Sequence, residues 1–256
     1  MRPGSALALI LLVQLLPSLS LAATLRLAAD SWYPYNGDPR SDHPGYMIEL
    51  AREITREAGH GVDYRLLPWS RSLLEARKGN VDCVVGAFRG DAPDFLYPDQ
   101  SMGREDTAFF SLAANRHLNI SSVEELEGVR IAVINGYSYG DQIDEFVKRN
   151  RTSSQLMITS GNTPLARNVR LLLAGRVELL IASPNALKAT LKQMSLEDAV
   201  VEVGRMNNPE ELYIACAPGS DRAEYFVRLL SDGVKRLRAS GRLQQILDRY
   251  GLQDWQ

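Results

Sequence analysis

Two cysteines, three histidines and no long run of lysine or arginine exclude several kinds of chemistry from this chain of 256 residues. The histidines are scattered and no cysteine pair stands at ligand spacing, which argues against a zinc site, and no other metal is expected. A formal charge of -2 without basic clusters leaves no footprint for a nucleic-acid partner. Neither a GxSxG elbow nor an HExxH helix occurs, so the serine-hydrolase and zinc-peptidase patterns do not apply. No cofactor motif stands out. Beyond the first 22 residues no segment stays apolar for 18 positions, so no later membrane span is expected.

What is present begins with an export pattern. Arg2 gives a weak positive start, "ALALILLVQLL" an apolar stretch, and Ser20 to Ala22 small residues before a cut. The apolar stretch is shorter than the ~20 residues a span needs. Residues 1–22 therefore read as a signal peptide, and the mature protein is expected to begin at Ala23 and to be exported. Export permits a disulfide, but Cys83 and Cys216, both in apolar strand-like runs, fit equally well as two separate buried thiols.

Strand-like and helix-like periods then alternate. "TLRLAA" and "VDYRLLP" are short strands flanking the helical "MIELAREITREAG", in which Met47, Leu50, Ala51, Ile54 and Ala58 share a face and Gly59 is a stop. A second helix, "SRSLLEARKG", leads to the strand "VDCVVGAF". The grammar restarts after "TAFFSLAAN": strand "RIAVI", helix "YGDQIDEFVKRN", strand "SQLMIT", helix "TPLARNVRLLLAG", strand "VELLIAS". After "LYIACAP" two amphipathic helices end the chain. Strand, helix, strand repeated in this way predicts parallel sheets covered by helices. Two such lobes enclose a cleft, and ligands gather beyond the carboxyl ends of their strands. Arg89 stands where the third strand runs out. It is expected to face the cleft and hold an anion, the alternative being a surface pair with Asp91 or Asp94.

These motifs in this order, with "ADSWYPY", "LPWSRSLLEARKGNVDCVVGAF", "LEGVRIAVINGYSYGDQIDEF" and "LLLAGRVELLIASPNAL", resemble the periplasmic solute-binding proteins of polar amino-acid uptake systems, extracellular solute-binding family 3. The resemblance covers nearly all of the mature chain. It implies an α/β, two-lobed periplasmic-binding-protein-like fold, each lobe a mainly parallel sheet covered by helices. Lobe 1 would be residues 23–110 plus 215–256 and lobe 2 residues 115–208, joined by hinge strands near 110–115 and 208–215. It also implies a monomer in the periplasm that binds a small solute and passes it to a separate membrane permease or sensor. Position by position, it places Trp32 and Tyr35 against the ligand after the first strand, and Trp69 and Arg71 after the second. Gly86 and Ala87 offer backbone groups, Arg89 a guanidinium, and Tyr137, Ser138 and Ser183 line the second lobe.

Two departures bear on the ligand. The usual carboxylate-clamping arginine position falls on or beside Ala92 in "FRGDAPDFLYP", about three residues after Arg89. The usual ammonium-binding acid after "VELLIA" is replaced by Ser183. An ammonium without its partner in a closed cleft costs several kcal/mol, so another acid replaces it or the ligand is not an ordinary α-amino acid. The sequence predicts a non-catalytic receptor for a small polar or anionic solute. One alternative is a dehydratase-type enzyme on the same fold, with Asp30, Asp91 or Glu178 as general acid or base. The other is a ligand-less interaction module.

Overall fold

The computed structural model describes residues 22–206, 208–219 and 221–256; the expected export signal, Ala22 apart, lies outside them. Two mixed five-stranded sheets carry the fold. The first is built from β1 (Thr24–Ala29), β2 (Gly61–Leu66), β3 (Cys83–Ala87), β4 (Gly103–Glu105) and β10 (Glu210–Cys216), in the order β2-β1-β3-β10-β4. The second uses β5 (Ala108–Leu112), β6 (Ile131–Ile134), β7 (Leu156–Thr159), β8 (Leu179–Ala182) and β9 (Val200–Arg205), in the order β7-β6-β8-β5-β9. In each sheet three strands run parallel, and the fourth runs antiparallel to them. The repeated grammar of the two halves has become two sheets of one plan.

Helices cover both sheets. In α1 (Tyr46–Glu57), Met47, Leu50, Ala51 and Ile54 are fully buried, as their spacing requires, and Gly59 at φ +76 follows the end. α2 (Trp69–Arg77), α3 (Asp141–Arg149), α4 (Pro164–Leu173) and α5 (Pro184–Met194) follow their strands. The last two, α6 (Asp221–Ala239) and α7 (Arg242–Asp248), return to the first sheet and pack beside α1. Gly233 sits inside α6 because α1 lies against it: a Cβ there would stand 2.4 Å from Ile54.

Cys83 and Cys216 face each other across β3 and β10 and form a disulfide. The chain crosses between the sheets at Asp106–Thr107 and again between β9 and β10. The first crossing precedes the expected hinge near 110–115, and the expected hinge near 208–215 covers the end of the second crossing but is mostly strand. Residues 108–112 already pair with β8 and β9, and Glu210–Cys216 belongs to the first sheet throughout. The apolar run "AFFSL", nearly all buried, is a central strand with neighbours on both sides, and the polar Asp-Thr before it makes the crossing.

Candidate functional site

The residues between the lobes stand just past the carboxyl ends of strands. Asp30 and Trp32 follow β1, Trp69 follows β2, and Phe88 and Asp91 follow β3. From the other side Tyr137 and Ser138 follow β6, and Ser183 follows β8. This is where parallel strands present their loops to a ligand.

These side chains enclose two cavities of about 20 Å³ each, room for about one water apiece. Asp30, Trp32, Trp69, Val85, Gly86, Phe88, Asp91 and Tyr137 line the first. The second extends toward Asp106, Thr107, Tyr139 and Ser183. The Trp32 ring stacks on Tyr35 at 4.2 Å and meets Phe88 edge-on at 6.0 Å, while Trp69 meets Tyr137 edge-on across the cleft at 6.0 Å. Gly86 has φ +82, and a Cβ there would stand 3.0 Å from the Trp32 ring, so the ring lies directly on the backbone.

Hydrogen bonds from both lobes close the cleft, among them Asn185 Nδ2 donating to Glu105 Oε2 at 2.9 Å. Tyr137 Oη donates to Asp30 Oδ2 at 2.8 Å, and the Ser138 amide donates to Asp91 Oδ1 at 2.8 Å. Ser31 N–H donates to the Asn162 carbonyl at 2.7 Å, and Ser70 and Asn135 exchange two bonds of 2.8 and 2.7 Å. Asp91 Oδ2 accepts a further bond from the Phe88 amide at 2.8 Å. Burial pushes the Asp30 carboxyl up to about 8 against the opposing pull of the Tyr137 hydroxyl. It pushes Asp91 to about 7, the two backbone amides pulling the other way and Asp144 adding repulsion. The buried Trp69 indole N–H makes no hydrogen bond of standard geometry, although it is close enough to Asp91 to favour its carboxylate.

Of the residues singled out in the sequence, Trp32, Trp69, Gly86, Tyr137, Ser138 and Ser183 come together on the two cavities. Tyr35 lies behind Trp32 as its stacking partner, within reach of Asn185 across the cleft at 3.4 Å. Ala87 is buried in the sheet opposite Tyr213. Ser183 caps α5 by accepting the Ala186 amide.

The two arginines go elsewhere. Arg71 is exposed, 4.0 Å from Glu75 one helical turn on. Arg89 is exposed too, its guanidinium against the rings of Tyr97 and Tyr213 at 4.9 and 4.8 Å. It pairs with neither expected aspartate, since Asp94 holds Arg77 and Asp91 turns inward to Ser138. Arg89 therefore does not line the cleft: the chain turns at Gly90, so the residue on the inner side is Asp91. Asp30 and Asp91, named in the sequence only as acids for the enzymatic alternative, both line the first cavity. Glu178, the third acid considered, pairs with Arg130 at the surface.

No family model matches the chain, and no curated protein matches it. Its likeness to known proteins is one of fold. A histidine kinase sensor domain with similarity to periplasmic binding proteins superposes with a TM-score of 0.72 at 22% identity, over 90% of this chain and 95% of that one. An ancestral arginine-binding protein bound to glutamine gives 0.71 at 18%, over 89% and 97%. A Streptococcus pneumoniae ABC uptake transporter substrate-binding protein with bound histidine gives 0.72 at 13%, over 89% and 92%. The chain has the two-lobed fold of periplasmic binding proteins.

Proposed function

We propose that this chain is an exported receptor that closes its two lobes on a small solute and presents the closed form to a separate permease or sensor in the membrane. The observation that carries this reading is the convergence of groups from both lobes on one aromatic-lined space at the strand ends. Trp32, Trp69, Phe88 and Gly86 come from the first lobe, Tyr137, Ser138 and Ser183 from the second. The export pattern of residues 1–22 and the buried disulfide fit a periplasmic site of action. Fold neighbours that include transport receptors and a kinase sensor domain support the same reading.

The test is a thermal-shift screen against amino acids, small carboxylates, polyamines, opines and short peptides. A ligand at a hundred times its Kd adds about 2.7 kcal/mol, on the order of 5 to 10 °C for a chain of this size. A second reading, an interaction module without a solute, is favoured by the way Tyr137 and Asp91 fill the cleft with the chain's own groups. It predicts no shift with any compound.

A further inference from the structure

From the cleft's lining we infer that the solute is a small organic cation without a carboxylate, an amine or quaternary ammonium, held by Asp30 and Asp91 inside a ring of aromatic faces. This rests on the receptor reading above.

Three observations carry it. First, the cavity between the lobes has two carboxyl groups and four aromatic side chains, Trp32, Trp69, Phe88 and Tyr137, and no basic side chain among its lining residues. Aromatic faces and carboxylates both attract a cation, and desolvation strengthens each attraction. Second, no arginine among the described residues is placed to clamp a ligand carboxylate. Arg89 and Arg71 are exposed and engaged elsewhere. Arg205 reaches the second cavity only through Asp106, which it pairs at 3.4 Å. Lys148 and Arg151 line a groove that borders the two cavities at Asp91, Tyr137 and Ser138, but both are exposed there, Lys148 near Glu145 and Arg151 donating to Asn135. Third, the Ser138 and Phe88 amides, which face the cleft as anion donors, are already taken by Asp91. The chain's own carboxylate sits where a ligand's would have to go, and a second one beside it would meet two acidic groups with no counter-charge.

On binding, the ammonium takes the Asp30 oxygen that Tyr137 now holds, and the rings part to admit it. The cleft at present has room for about a water in each cavity, so the complex requires a partial opening and reclosure.

The test uses matched pairs that differ by one carboxylate: cadaverine against lysine, agmatine against arginine, choline against glycine betaine. Calorimetry on the purified exported protein is expected to show binding of at least one carboxylate-free member, tenfold or more tighter than its partner. Asp30→Asn keeps the shape and the acceptor for Tyr137, and is expected to weaken the amine tenfold or more with an unchanged circular dichroism spectrum. Trp32→Leu, read in the same way, tests the aromatic wall without touching the charge. If the carboxylate-bearing members bind and the amines do not, the cation inference is overturned while the receptor reading stands. If amine binding survives both substitutions undiminished, the assignment to this cleft is wrong. If none of the six compounds binds and the broader screen finds a neutral or anionic ligand, the inference fails alone. Silence in both removes the receptor reading with it.

Discussion

Asp30, buried, and Asp91, half-buried, set the behaviour of the cleft, because both stand between lobes that must part to admit anything. In an open, water-filled cleft both would ionise near 4, as aspartates ordinarily do. In the closed form Asp30 is raised to about 8 and Asp91 to about 7, burial being the larger cause in both. Closing therefore takes up protons between about pH 4 and pH 8. The closed form is favoured most below about 4 and loses that advantage as pH rises through 7 and 8. Carbon-13 carboxyl titration by NMR should show two aspartates with midpoints near those values, the upper one absent in Asp30→Asn. Ordinary midpoints for both would mean that the carboxyls are solvated and the cleft open. Arg89 gives the complementary prediction. Its guanidinium leans on two tyrosines at the surface, worth about 0.5–1 kcal/mol at an exposed site. Arg89→Ala should lower stability by no more than that and leave ligand affinity unchanged in a titration. A large loss of affinity would return the arginine to the cleft.

At the scale of elements, β3 and β10 are the pair most firmly tied, because the disulfide joins residues 133 apart in sequence where the C-terminal segment returns to the first sheet. Removing it with Cys83→Ala and Cys216→Ala should cost about 2–5 kcal/mol. That is a fall in melting temperature of roughly 5 to 15 °C by calorimetry. A fall of a degree or less would mean that sheet pairing alone positions β10. The alternation of strands and helices was legible in the sequence because each apolar face had one period. "MIELAREITREAG" and "VDCVVGAF" became α1 and β3 with boundaries shifted by a few residues. The disulfide was not, since pairing depends on which strands become neighbours, and β10 arrives from the far end of the chain. Nor was the fate of Arg89, which turns on one peptide: the bend at Gly90 decides whether arginine or aspartate faces inward. The convergence of Asp30 and Asp91 on the cleft was not legible either, because a carboxylate's burial is a property of the opposite lobe, which local sequence does not contain.

For the whole molecule, the contacts that shut the cleft are small groups meeting closely, and that makes closure easy to disturb. A Cβ on Gly90 would stand 2.6 Å from the Ser138 hydroxyl oxygen, so the two lobes approach through a gap that only glycine leaves. Gly90→Leu should therefore act as a wedge beside the Asp91–Ser138 bond and hold the lobes apart. Gly90 itself is exposed, so the interiors of both sheets stay intact and thermal stability should change little. A compact chain of this length has a radius of gyration of about 18 Å. Small-angle scattering should give the native protein close to that value at pH 5, a larger one at pH 9 as the raised carboxyls ionise, and the larger one at both pH values for Gly90→Leu. Tyr137→Phe, which removes the hydroxyl from Asp30 without adding bulk, should fall between the two. If the wedge variant keeps the native radius at pH 5, the lobes do not move as rigid bodies about the two crossings. Closure would then be a local rearrangement of Trp32, Trp69 and Tyr137 inside a fixed frame.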